Sequence, residues 1–139
     1  MNAQKHSRAK QPHRGQIRII GGKWRGRKLS VAPRPALRPS PDRVRETLFN
    51  WLKPYVDGAR CLDLYAGTGV LGIEAVSRGA AHATLLDNDP RAIDFLTQHV
   101  TLLSANNVEV IESDARTWLR TACPAPFDIV FLDPPFRQG

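Results

Sequence analysis

From residue 60 onward, apolar and polar positions repeat one plan. RCLDLY is a short apolar run, GVLGIEAVSR carries helical spacing up to Gly79, and HATLLD is a second apolar run. A helical stretch from Pro90 to about Ser104 follows, with Asp89 as its cap. Then come VEVIE, a short helical DARTWLR segment, and FDIVFLD. Short β-prone runs alternating with helices imply right-handed crossovers and an open, doubly wound parallel sheet, an α/β fold. Ligands in such folds sit beyond the carboxyl ends of the strands, so the polar residues there are the first candidates for chemistry.

Upstream the pattern differs. Ile17, Ile19 and Ile20 precede Gly21-Gly22, and KWRGRKLSV follows, which predicts a hairpin turning at the glycine pair. Pro33, Pro35, Pro39 and Pro41 then predict an extended linker. A helix comes next, with Ser40 as cap, Pro41 in its first turn and Asp42 complementing its dipole. Val44, Leu48, Trp51 and Leu52 make its expected core-facing stripe and Pro54 its expected end. Arg43, Arg45 and Glu46 fall off that stripe, on the expected solvated side.

Charge divides the chain at the same place. Residues 1–41 hold eleven Lys or Arg and no acid, and the first carboxylate is Asp42. The net charge of +7 is therefore +11 from the head and −4 from the body. A basic arm on a mildly acidic domain suits phosphate neutralisation, which gives strong, salt-sensitive and sequence-blind binding. Within the arm, residues 1–14 have no ordering signal and read as a disordered basic tail. Residues 15–41 read as a basic hairpin and Pro-rich linker, either a phosphate-binding ribbon or plain surface. There Lys23, Arg25, Arg27 and Lys28 interleave with Trp24, a mixture suited to phosphates and exposed bases.

Other features narrow the class. At 139 residues the chain is one domain at most. It has no apolar run of membrane-spanning length, and its first ten residues lack a secretory signal, so a cytoplasmic location is expected. Cys61 and Cys123 form neither a disulfide framework nor a metal-ligand spacing; no metal is expected.

The strand ends carry the candidate chemistry. Gly67, Gly69 and Gly72 satisfy G-x-G-x-x-G between a strand and a helix, and Asp87 ends the next strand. Glycines permit close backbone approach, a helix N-terminus offers bare N–H groups, and a carboxylate accepts ribose hydroxyls. That combination points to an adenosine-containing cofactor, and its spacing also fits a nicotinamide dinucleotide. Two features weigh against the latter. Asp63, four residues before the first glycine, would crowd a pyrophosphate but could receive an ammonium such as that of S-adenosylmethionine. Asp133-Pro134-Pro135-Phe136 ends the last strand, and hydride transfer has no evident use for it. Amine methylation does: Asp133 and a backbone carbonyl can accept the N–H bonds of an exocyclic amine, and Phe136 can stack on its base.

DLYAGTG with LDPPF resembles the class I S-adenosylmethionine-dependent N-methyltransferases. QIRIIGGKWRGRKL with LRPSPDRVRETLFNWL is similar to one family within them, the RsmD family, bacterial enzymes that methylate the N2 amine of a guanine in small-subunit (16S) ribosomal RNA. The resemblance implies that Asp63, Ala66, Gly67 and Gly69 line the methionine and ribose of S-adenosylmethionine and that Asp87 holds the ribose hydroxyls. It places Asp114 on the adenine amino group with Ala115 beside it, and makes Asp133, Pro134, Pro135 and Phe136 the catalytic tetrapeptide. Lys23, Trp24, Arg25, Arg27, Arg38 and Arg43 become the RNA contacts, with Asp42 and Glu46 near the substrate entrance. Residues 42–139 become the N-terminal part of a methyltransferase domain, a Rossmann-like sheet with its first four strands in the order 3-2-1-4. Such sheets continue past this point, so the chain is expected to be a piece of a longer enzyme, weak or inactive alone and monomeric at full length. Its expected partner is small-subunit RNA or the assembled subunit. Other nucleic-acid or protein-amide N-methyltransferases, a nicotinamide oxidoreductase and a noncatalytic RNA-binding remnant stay open as alternatives.

Overall fold

The computed structural model describes residues 16–30, 42–121 and 126–134. The tail at 1–14, the linker with Ser40, Pro41 and Arg38, Cys123, Pro135 and Phe136 lie outside them. β1 (Gln16–Arg18) pairs antiparallel with β2 (Lys28–Ser30), Ile17 opposite Leu29. Then come α1 (Asp42–Val56), β3 (Arg60–Asp63), α2 (Val70–Ser77), β4 (His82–Asp87), α3 (Pro90–Leu103), β5 (Val108–Glu112), α4 (Ala115–Thr121) and β6 (Ile129–Phe131).

The last four strands form one parallel sheet in the order β5-β4-β3-β6, the expected 3-2-1-4 counted from Arg60. Period-two alternation sorts their side chains. Cys61, Ala83, Leu85, Val108 and Phe131 join the main core with Phe49, Ile73, Val76, Leu96 and Leu103 of α1, α2 and α3. Leu62, Leu64 and Leu86 face the other way, against Ala115, Trp118 and Phe127. With helices on both faces, this is the class I methyltransferase architecture. Asp89 caps α3 by accepting from the Arg91 N–H at 2.9 Å, and Ser104 closes it in the left-handed region. β6 carries exposed Val130, with exposed Leu132 just past its end, and no strand pairs with its outer edge among the described residues.

Five upstream expectations are corrected. The connection between β1 and β2 is not a two-residue turn: it spans residues 19–27 through a 3₁₀ turn at Gly22–Trp24. Gly22 is required for another reason, since a Cβ there would stand 1.9 Å from the Ser77 carbonyl oxygen. Trp24 is buried in the main core, its backbone N–H held by the Ser77 hydroxyl, so its ring offers no face to an RNA base. The core side of α1 is Arg45, Leu48, Phe49, Leu52 and Val56, whereas Val44 and Trp51 are 57% and 72% exposed. Arg45, placed by pattern in solvent, is fully buried because Glu74 of α2 neutralises it. Pro54 sits inside the last turn of α1, which runs on to Val56 before Gly58 at φ +76°.

Candidate active site

The crevice forms where β3 and β4 end. Gly67 and Gly69 adopt φ of +55° and +79°, a region that disfavours side chains, and turn the chain into α2. Gly69 and Gly72 are also filled from below: a Cβ at either would lie 2.3 Å from a leucine methyl, Leu96 and Leu85 respectively. The glycine pattern is thus first a packing requirement, and it brings the backbone of the loop close to the strand ends.

Asp87 at the end of β4 organises this loop. Its Oδ2 accepts the Gly67 N–H at 2.8 Å and its Oδ1 the Asp89 N–H at 2.9 Å. An ionised carboxylate retains further lone pairs, so ribose hydroxyls remain compatible with both bonds. The Ala66 N–H donates to the Leu86 carbonyl at 2.8 Å, which ties the loop to β4 a second time.

Asp63 behaves differently. It is only 2% exposed, and its Oδ1 has no hydrogen-bond partner among the described residues. Burial pushes its carboxyl up to about 7, backbone hydrogen bonds from Gly72 and Tyr65 pull it down, and the charges of Asp133 and Asp87 push it up. A buried carboxylate oxygen without a donor is costly unless a cation completes it. A ligand ammonium meets that requirement, and a pyrophosphate does not. Residues Asp63, Gly67, Gly69 and Asp87 therefore fit S-adenosylmethionine.

The neighbouring strand ends supply the rest. Asp114 caps α4, its Oδ2 accepting the Thr117 N–H at 3.1 Å, with Ala115 buried beside it. Asp133 and Pro134 are exposed past β6, at the same edge of the sheet, and Asp133 acts electrostatically on Asp63. The Leu64 N–H reaches the Phe131 carbonyl at 3.2 Å, so the two strand ends are joined. Cys61 lies buried behind them with its thiol pushed up to about 11, chiefly by burial, and is unreactive. Among the described residues no His, Cys, Asp and Glu group together to hold a metal ion, and no helix is long and apolar enough to cross a membrane.

The basic residues do not all converge here. α1 runs against the strands: Phe49 meets Phe131 late in β6, whereas Leu52 lines a cavity of about 580 Å³ with Ala59 and Ile129 at the strands' starts. Its first turn, with Asp42, Arg43 and Glu46, is therefore on the crevice side. Lys23, Arg25 and Arg27 are exposed on the turn beside Ser77, at the far end of α2. That eight-residue helix is about 12 Å long, so the backbone of the turn at its far end is separated from the glycine loop by roughly that length. Pattern reading also passed over Glu74 and Ser77, and it put Arg45 in solvent. The one available signal was Glu74 itself, a lone acid in the apolar helix VLGIEAVS.

The chain matches, over residues 17–139, the family described as conserved hypothetical protein 95. It is 54% identical over 125 residues to ribosomal RNA small subunit methyltransferase D of Escherichia coli, covering 90% of this chain and 63% of that protein. The protein of the same name from Haemophilus influenzae is 48% identical over 127 residues, covering 89% and 66%. The solved structure of yhhF from Escherichia coli superposes with a TM-score of 0.80 at 53% identity, covering 90% of this chain and 67% of that one. The chain thus spans a little under two thirds of the length of these curated relatives.

Proposed function

Because the chain belongs to the RsmD family, whose match covers residues 17–139, we propose that the protein methylates the exocyclic N2 amine of a guanine in small-subunit ribosomal RNA. The observation that carries this reading is the buried, unpartnered Oδ1 of Asp63 behind the glycine loop, at the strand end beside the one that carries Asp133. The RNA half is supported by the Escherichia coli relative, named as a small-subunit ribosomal RNA methyltransferase.

S-adenosylmethionine supplies, when bound, a methyl group on an electrophilic sulfonium. In this reading Asp63 takes the methionine ammonium, Ala66, Gly67 and Gly69 give backbone approach, and Asp87 accepts the ribose hydroxyls. Asp114 receives the adenine amino group, with Ala115 as the apolar neighbour. A guanine N2 is a poor nucleophile because its lone pair is delocalised into the ring. Asp133 accepts one of its N–H bonds and a carbonyl of the Pro134-Pro135 segment the other, which turns the lone pair outward. Such positioning contributes at most about 7–11 kcal/mol to lowering the barrier. Asp133 also offsets the positive charge growing on the nitrogen and is placed to take its proton. Phe136 stacks on the splayed base. Lys23, Arg25, Arg27, Arg38 and Arg43 neutralise phosphates; Trp24, being buried, is assigned no base. The protein would work as a monomer in the bacterial cytoplasm.

The test is transfer of labelled methyl from S-adenosylmethionine to small-subunit RNA by the full-length protein, with the modified nucleoside identified by mass. The reading expects N2-methylguanosine and no signal from Asp133→Ala. A product methylated on adenine would redirect it to another amine. A thermal shift with NAD and none with S-adenosylmethionine would favour the oxidoreductase.

A further inference from the structure

The α2 helix meets the cofactor crevice at one end and the basic turn at the other. Glu74 and Ser77 lie one turn apart on it, both buried. Glu74 accepts the backbone N–H of Ile20 at 3.0 Å and of Gly21 at 2.8 Å. It also takes Arg45 Nη1 at 3.1 Å and Arg78 Nε at 2.8 Å. Ser77 accepts the Trp24 N–H at 2.9 Å and donates to the Gly21 carbonyl at 2.6 Å. Gly22 fits only because it has no side chain to meet the Ser77 carbonyl. Two side chains of one helix thus satisfy three of the five backbone N–H groups between Ile20 and Trp24 and the Gly21 carbonyl, in a stretch with no strand partner among the described residues. Arg45 extends the joint by also bonding the Arg18 carbonyl at 2.9 Å and Asp42 at 2.8 Å.

This is more polar anchoring than a surface turn requires. Buried ionic groups give little net stability relative to well-packed apolar ones, and their best-attested use is to fix one arrangement. What this joint fixes is the position of Lys23, Arg25 and Arg27 relative to the glycine loop.

We propose that Glu74 and Ser77 are positioning residues that dock the basic turn rigidly on the cofactor helix, so that the RNA backbone is gripped at a set distance from the crevice. The inference rests on the RNA-methyltransferase reading and adds to it the joint that holds the basic turn, about one α2 length from the glycine loop. Ser77 acts only through the turn and touches neither cofactor nor base.

The experiment is a double-mutant cycle in the full-length protein. One change is Ser77→Ala, and the other is the joint replacement of Lys23, Arg25 and Arg27 by alanine. Ser77→Ala keeps the helix and removes two hydrogen bonds to the turn, whereas Glu74→Gln strips a buried guanidinium of its counter-charge and serves as the harsher second variant. Ser77→Ala should raise KM for RNA about tenfold, leave kcat and S-adenosylmethionine affinity within twofold, and flatten the salt dependence of binding. Hydrogen exchange at Ile20, Gly21 and Trp24 should quicken while α2 stays protected. In the background lacking the three cations, Ser77→Ala should change KM no further. Additive effects, or KM unchanged while exchange quickens, would overturn the dock and leave the methyltransferase reading intact. No methyl transfer to RNA by the unsubstituted protein would overturn both.

Discussion

Two carboxylates are almost wholly withdrawn from water, and they have opposite fates. Glu74 is enclosed by two backbone amides and two arginines, so its charge is fully met within the fold. Asp63, eleven residues earlier, keeps one oxygen without a donor and has its carboxyl raised to about 7. A buried acid whose partners all come from the protein is part of the scaffold. One left incomplete in a crevice costs stability, and in the proposed reading it is completed by the ammonium of the cofactor.

Substitution separates the two most sharply. Glu74→Ala leaves Arg45 buried without its counter-charge and should cost about 3–5 kcal/mol in urea denaturation. Asp63→Asn should leave stability unchanged or raise it at pH 8. The sign follows from the raised carboxyl. The protonated form is favoured in the fold, so stability from this group is full below about pH 4 and is lost as pH rises through about 7. Wild type should weaken over that range, and Asp63→Asn should lack this component.

Cofactor affinity should order them the other way. Asp63→Asn removes the charge facing the ammonium and should weaken S-adenosylmethionine binding roughly 100-fold by calorimetry, an effect of about 3 kcal/mol. Ser77→Ala, on the scaffold side, should leave it within twofold. The smallest effect belongs to the exposed fringe of the Glu74 cluster. Arg18 and Asp42 pair at 2.9 Å with side chains about half exposed, so Arg18→Ala should change stability by less than about 1 kcal/mol. A larger loss would mean that the cluster is held from its rim rather than from Glu74.

What could be read in the sequence follows the same division. The alternation from Arg60 onward is local, because each strand and helix writes its own period, and it predicted a parallel α/β sheet; the order β5-β4-β3-β6 was expected only from the family resemblance. The crevice residues were legible for the same reason: Asp63, Gly67, Gly69 and Asp87 occupy strand ends and turns whose chemistry is short-range. The α1 face was not. Val44 and Trp51 look like core and stand in solvent, while Arg45 looks solvated and is buried. Its partner Glu74 lies 29 residues on, a lone acid in an apolar helix whose local pattern does not say which cation it meets. Trp24 was misread on the same principle, since the helix that buries it is distant in the chain.

Calorimetric titration with S-adenosylmethionine at pH 6 and pH 8 tests whether Asp63 is the incomplete acid that receives the cofactor. With a carboxyl near 7, wild-type Kd should rise about tenfold from pH 8 to pH 6. Asp63→Asn should bind weakly and equally at both. Tight, pH-independent binding by Asp63→Asn would contradict the account.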